Sequence, residues 1–292
     1  LMRDFVIVTD SDTEIPYIFA DEHQIPVFLM PYTVDGEERL FDLGRNTDFH
    51  EFYQELRDGA EAVTSTRSPS DIADFFRNII KDGTEVLYLA FSSALSGHFE
   101  LSNLARNMVL EEYPEARIEI VDTLRISMGA GQIVMAAQKM KEEGKTLEEI
   151  RDWVIANRQR SHAWFSVDDL NYLKKGGRLS GAAAAIGTIL DVKPILKLNH
   201  DGKIVAVDKV KGSKKIQKFF LSVIQENVEE PEIQTAYVLH ADNMEAAVRM
   251  KEMMKENVPF RDVLIQDVGP VIGCHTGPGV LAIIFMGKEI TN

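Results

Sequence analysis

Phe5-Val6-Ile7-Val8-Thr9, running into Asp10-Ser11-Asp12, is the stretch that decides the fold. Apolar and β-branched residues in an unbroken run, closed by a polar turn, mark a strand buried on both faces of a parallel sheet. Val86–Phe91 entering Ser92-Ser93 repeats the pattern, and so does Ile118–Val121 entering Asp122-Thr123. Between these runs apolar residues recur at helical spacing. Phe49, Phe52, Tyr53 and Leu56 share one face, as do Ile72, Phe75, Phe76 and Ile79. Leu101, Leu104, Ala105 and Met108 form a third face, followed by Ile133–Met140. Strands alternating with helices imply a doubly wound parallel sheet, a three-layer α/β/α domain.

The second half is less regular. Ala163–Val167, Ile204–Val207, Thr235–Leu239 and Val280–Met286 read as strands, and Gly181–Leu190, Lys214–Ile224 and Met244–Glu256 as helices. Asp201-Gly202, within Asn199–Gly202, suits a tight hairpin turn. A mixed-sheet, two-layer α/β domain is expected, with the boundary near Arg160 after the polar stretch Asn157–His162. The domains are then 1–160 and 161–292. A chain of 292 residues accommodates one large or two ordinary domains at about 150 residues each.

Hydrophobic residues make up 45% and charged residues 27% of the chain, the balance of a globular protein with a substantial core. The longest apolar run, Val280–Met286, is too short to cross a bilayer. No signal peptide is expected. The single cysteine, Cys274, excludes an internal disulfide framework and a Cys-rich metal site, and a reducing, cytoplasmic setting is the expectation. Cys274 reads as a small buried hydrophobe, since nothing near it signals thiolate activation.

The net charge of −14 argues against general nucleic-acid binding. It is unevenly spread: residues 1–160 hold 16 Lys/Arg against 30 Asp/Glu, whereas 161–292 hold 16 of each. Within 174–215 there are 10 Lys/Arg and only 3 Asp, so this segment is suited to face something anionic.

In an open parallel sheet ligands bind beyond the carboxyl ends of the strands, which gathers Asp10-Ser11, Ser92-Ser93 through Ser96-Gly97, and Asp122-Thr123. The serines at 92–96 precede a helix, where unpaired backbone N–H groups favour an anion; Ser96 also reads simply as an N-cap and Ser93 as a turn residue. Val63–Ser70 is a hydroxyl-rich loop entering a helix, with Ser70 expected as N-cap and Asp71 in the first turn. Ile272–Gly279 reads as a Gly/Pro-rich loop before a buried strand, with His275 placed as a hydrogen-bond donor or general base. Asp168-Asp169 reads as an N-cap with a dipole partner, and Lys174, Lys175 and Arg178 as a basic face beside a Gly-Gly turn. There is no P-loop, no G-x-G-x-x-G after a strand, no H-E-x-x-H and no EF-hand loop. These elements suit holding an anion without the equipment to transform it.

Six motifs in order resemble the DegV family of bacterial fatty-acid-binding proteins. They are Val8-Thr9-Asp10-Ser11; Thr66-Arg67-Ser68-Pro69-Ser70; Ser92-Ser93-Ala94-Leu95-Ser96-Gly97; Val167-Asp168-Asp169-Leu170 with Lys175-Gly176-Gly177-Arg178; Val192-Lys193-Pro194-Ile195-Leu196; and His275-Thr276-Gly277-Pro278-Gly279. The resemblance runs through essentially the whole chain. It implies two domains with a long-chain fatty acid between them, no cofactor and no catalytic residue of its own. It further implies a separate ATP-dependent kinase subunit, to which the bound acid is presented for acyl-phosphate formation in phospholipid metabolism. The carboxylate is implied to lie among Ser65 or Thr66, Ser93 or Ser96, His275 and Thr276. Arg178 corresponds to an arginine that docks the kinase. Lys211 stands where kinase-partnered members have a second arginine, and lysine keeps the charge but loses the bidentate geometry. Arg67 replaces a small hydroxyl, bringing bulk and charge to its loop. Ala182–Ala185 with Ile186, Ile189 and Leu190 would line the tunnel or pack on their own domain's sheet. No membrane span is implied; transient contact with a membrane surface is compatible. Two other readings stay open: a lipid-binding sensor or regulator without a kinase, and an acyl hydrolase using Ser93 or Ser96 with His275.

Overall fold

The opening run forms the strand β1 (Phe5–Asp10), and the chain continues through α1 (Tyr17–Glu22), β2 (Val27–Phe28), β3 (Pro31–Val34), β4 (Glu37–Leu40), α2 (Phe49–Arg57), β5 (Ala62–Thr64), α3 (Pro69–Ile80), β6 (Glu85–Ala90), α4 (His98–Glu112), β7 (Ile118–Asp122), α5 (Met128–Glu142) and α6 (Leu147–Asn157). This computed structural model describes residues 4–180 and 192–292. The second half comprises β8 (Ser161–Ser166), α7 (Asn171–Gly176), β9 (Val192–Leu198), β10 (Ile204–Lys211), α8 (Ser213–Asn227), β11 (Thr235–His240), α9 (Met244–Asn257), β12 (Asp262–Asp267), α10 (Pro270–Thr276) and β13 (Leu281–Met286).

The first sheet is parallel, in the order β2-β1-β6-β7, with Ile7 opposite Leu87 and Leu87 opposite Glu119. α3 and α4 pack on each other and against β6 and β7, while α5 and α6 pack on each other and against β1 and β7. The second sheet is mixed, in the order β10-β9-β8-β13-β11-β12, with only β11 and β12 parallel. Its strands obey the two-residue alternation of a pleated sheet. Trp164, Ile195, Val238, Ile283 and Phe285 face α8 and α9, meeting Phe220, Ile224, Met250 and Met254. Phe165, Leu196, Leu198, Leu239, Ala282 and Ile284 point the other way and join the core of the parallel half. One face of the mixed sheet is therefore turned toward the carboxyl ends of the parallel strands.

The structure departs from the sequence expectations in several places. A third, antiparallel sheet, β4-β3-β5, was not foreseen. Its hairpin turns at Asp35-Gly36, both at positive φ (47° and 81°), the geometry for which Asp-Gly is favoured. β2 and β12 were also not foreseen. The N-cap of α3 is Ser68, not Ser70: its side chain accepts from Asp71 N–H, and Pro69 takes the first helical position, where its missing donor costs nothing. α4 buries His98, Ser102, Ala105 and Val109, leaving Leu104 53% exposed. Polar residues take the inner face here, where His98 Nε2 pairs with Tyr88 Oη and Ser102 Oγ inside the core. Ile272–Gly279 is not a loop throughout, since α10 takes in His275 and Thr276. The expected helix Gly181–Leu190 lies outside the described residues.

Several contacts tie the two halves together. Arg125, fully buried after β7, donates to the carbonyls of Leu198 and Asn199 and to Gln159 Oε1; burial without a carboxylate partner pushes its pKa down to about 10. Glu14, at φ 55°, accepts from Ser127 Oγ and from Gly269 N–H at the start of α10. Tyr53 Oη donates to Val268 O at 2.5 Å, and Asp242 is held by Arg57 and His50 of α2.

Candidate ligand-binding site

The space between the parallel strand ends and the facing side of the mixed sheet is a cavity of about 260 Å³. Its floor is Ala163, Phe165, Leu198, Leu239, Ala282 and Ile284, the residues that the alternation turns away from α8 and α9. Val271 and Ile272 of α10, with Met30, Phe91, Leu95 and Ile126 from loops of the first half, complete an apolar lining. Ile204, Val268 and Val280 add to the apolar part, and the polar wall residues are Asp12, Thr64, Ser65, Thr66, Ser96, Ser127, Arg178, His275 and Thr276.

His275 reaches this wall because α10 packs very closely. A Cβ on Gly273 would lie 2.7 Å from Tyr53 Oη and 2.8 Å from the Phe52 ring, so only glycine lets α10 settle on α2. Thr64, the last residue of β5, places its Oγ1 2.7 Å from His275 Nε2. The other ring nitrogen, Nδ1, is buried without a partner. A Cβ at Gly176 would fall on that nitrogen, so glycine at the end of α7 lets the ring pack there. Burial, and secondarily the positive charge of Arg178, push the His275 pKa down to about 4. The ring is therefore neutral at pH 7. Nε2 and the Thr64 hydroxyl share one hydrogen bond, and a neutral ring carries a donor on one nitrogen and an acceptor on the other.

Arg178 is half-buried in the cavity wall. Its Nε donates to Leu95 O at 3.1 Å and its Nη1 to Gly176 O, which links the Gly-Gly turn to the serine turn after β6. Ser96 Oγ accepts from His98 N–H at 3.1 Å, but the N-cap of α4 is Gly97, one residue after the expected Ser96; Ser96 lies in the wall. Ser65 and Thr66 are exposed at the rim. Thr276 donates back to Ile272 O within α10.

The other candidate residues lie elsewhere. Ser93 is outside the wall, its backbone N–H bonded to Asp122 Oδ1, and Ser92 donates to Gly202 O. Lys211 is exposed at the end of β10, opposite Val192. Lys175 pairs with Glu61 at 3.6 Å. Arg67 turns toward Leu29 O, the Phe28 ring and Asp71. Asp168 pairs with Lys193, and Asp169 accepts from Asn171 N–H near the start of α7. Asp10 is a loop-shaping carboxyl, accepting from Tyr88 Oη, Phe91 N–H and Asp12 N–H; burial raises its pKa to about 7. Cys274 is buried, and its thiol is pushed up to about 12. Thr64, Asp12 and Ser127 were missed as wall residues. Thr64 was legible as the first hydroxyl of the Thr64-Ser65-Thr66 run, where a strand end points inward.

Among the described residues no group of three or more His, Cys, Asp or Glu is placed to hold a metal ion, and no helix is long and apolar enough to cross a membrane.

A family model described as an uncharacterised protein of the DegV family matches residues 4–288. The chain belongs to the DegV family. It is 39% identical over 286 residues to a DegV domain-containing protein of Clostridium perfringens, covering 98% of each chain. A solved DegV family protein of Thermus thermophilus, described as binding fatty acid, superposes with a TM-score of 0.88 at 30% identity, over 98% of this chain and 100% of that one. The crystal structure of DegV from Bacillus subtilis, a fatty-acid-binding protein, gives 0.83 at 27% identity over 98% and 100%. The parallel four-stranded sheet beside a mixed six-stranded one is thus the DegV fold, as expected from the motifs.

Proposed function

We propose that this DegV protein binds a long-chain fatty acid between residues 1–160 and 161–292, with its carboxylate held at the rim by His275, Arg178, Ser96 and the Thr64–Thr66 hydroxyls. The observation that carries the reading is one cavity with two chemistries: an apolar floor from the mixed sheet and an uncharged imidazole beside a guanidinium. Burying about ten methylenes at about 0.8 kcal/mol each contributes about 8 kcal/mol, the scale of a micromolar complex. A carboxylate brought to such a cavity must find donors, or its desolvation offsets that gain. Hydroxyls and a neutral imidazole meet this need alongside the half-buried Arg178 guanidinium.

The exposed Ser65 and Thr66 put the polar end of the cavity at the surface. This supports presentation of the carboxylate to a separate kinase subunit, with Arg178 as the docking cation and Lys211 as a second one. The imidazole is paired with a threonine, not with Ser93 or Ser96, so a serine hydrolase is the weaker reading and the protein acts as a non-catalytic carrier of the cytoplasm. Displacement of a fluorescent acyl probe by stearic acid and by its methyl ester tests the binding. The acid should compete at least tenfold better, and equal competition by the ester would contradict a carboxylate site. Pull-down of a candidate kinase subunit should depend on bound lipid and be lost in Arg178→Ala. Association that ignores lipid would favour a sensor without a kinase.

A further inference from the structure

Asp12 stands two residues beyond β1, 4% exposed, in the wall of the cavity. Its backbone is fixed on both sides: its N–H donates to Asp10 Oδ1 at 3.0 Å, and its carbonyl accepts from Ser127 N–H at 2.8 Å. The carboxyl itself makes no hydrogen bond among the described residues, and Oδ1 is sealed from solvent. Its two acidic neighbours are different. Asp10 is bonded to Tyr88 and Phe91, and Glu14 to Ser127 and Gly269. A buried carboxyl left without a partner is costly and rare.

Burial, reinforced by Asp10 and Glu14, raises the Asp12 pKa well above the usual carboxylate range. A protonated carboxyl offers one O–H donor and a free acceptor. Two wall residues, His275 and Asp12, thus carry a buried polar atom without a partner among the described residues. They sit on different elements: Asp12 follows β1 and is tied to Ser127, whereas His275 is on α10 beside Thr64 and Gly176. A ligand with one carboxylate and an otherwise bare chain satisfies only the first.

We infer that the cavity selects an acyl chain carrying a second oxygen, a hydroxyl or carbonyl along the chain, which hydrogen-bonds Asp12. This rests on the fatty-acid reading above and names the substrate class within it.

Delipidated full-length protein is titrated with stearic, 10-hydroxystearic, 12-hydroxystearic and 10-oxostearic acids against a fluorescent acyl probe. In a purely apolar cavity the oxygenated acids bind more weakly than stearic acid, so a preference for them is diagnostic. At least one should bind tenfold or more tighter than stearic acid. Asp12→Asn should keep that preference and Asp12→Leu should abolish it. Comparing the hydroxy and oxo acids shows which substituent is taken. Stearic acid binding as well as all three, the result if water alone satisfies Asp12, would overturn the inference, as would a preference that survives Asp12→Leu. Should Asp12→Leu not fold, the wild-type ranking still decides. Binding of stearic acid without selectivity sinks only the inference; failure of all four acids sinks the fatty-acid reading with it.

Discussion

Replacing His275 by alanine removes the imidazole of the cavity wall, whose Nε2 is hydrogen-bonded to Thr64 at 2.7 Å. The imidazole titrates near pH 4, so at pH 7.4 it meets a carboxylate as a neutral N–H. A hydrogen bond to a charged acceptor contributes about 1.5–3 kcal/mol. At 1.4 kcal/mol per tenfold, His275→Ala should raise the fatty-acid Kd roughly 12- to 140-fold. The methyl ester has no carboxylate to lose and should bind the variant and the wild type within about threefold, a difference of about 0.7 kcal/mol. Displacement of a fluorescent acyl probe measures both. The ratio of wild-type to His275→Ala affinity should also stay level from pH 8 to pH 6, because the buried ring does not gain a proton there. An acid Kd unchanged in His275→Ala, an equal loss for acid and ester, or a ratio that grows on acidification through pH 6.5 would each refute this account of the head group.

Other expectations concern the frame around the site. Glu14 is buried with its pKa raised to about 8, so its protonated form stabilises the fold fully below about pH 4.5, and that contribution fades as pH rises toward 8. Between pH 5 and 7 the wild type should lose about 2.7 kcal/mol relative to Glu14→Gln; parallel stability curves from urea melts would contradict this. Gly131→Ala lies inside α5, where alanine ordinarily gains about 1 kcal/mol over glycine. Here the new Cβ would fall on Thr13 O and beside Met128 Sδ, so overpacking by about 1–3 kcal/mol should win and Tm should fall. Ala282→Phe fills the cavity floor. Excluding about three methylenes costs about 2.4 kcal/mol, or roughly 50-fold in fatty-acid affinity, with Tm unchanged or higher; retained affinity would show that the chain does not lie on the mixed sheet.

The strands were legible where burial is two-sided: Phe5–Thr9 and Val86–Phe91 form parallel strands because no alternation was needed to read them. Asp201-Gly202 likewise announced the β9–β10 hairpin, Gly202 taking φ 75°. The equivalent Asp35-Gly36 went unread because Glu37–Leu40 is exposed and too polar to look like a strand. His275 stood out through its glycines, yet their role is close packing of a short helix on α2 and α7, not a loop. Thr64 and Asp12 were overlooked for a different reason. Whether a hydroxyl or carboxyl near a strand end faces a cavity depends on the sheet opposite, and the mixed sheet that closes this one is contributed by residues more than a hundred positions away.

Native mass spectrometry of the protein purified without detergent tests the central claim most directly. The account predicts a 1:1 complex, released on collisional heating as the mass of one long-chain fatty acid or its oxygenated form. A bare polypeptide mass that stays bare after incubation with excess fatty acid would contradict it.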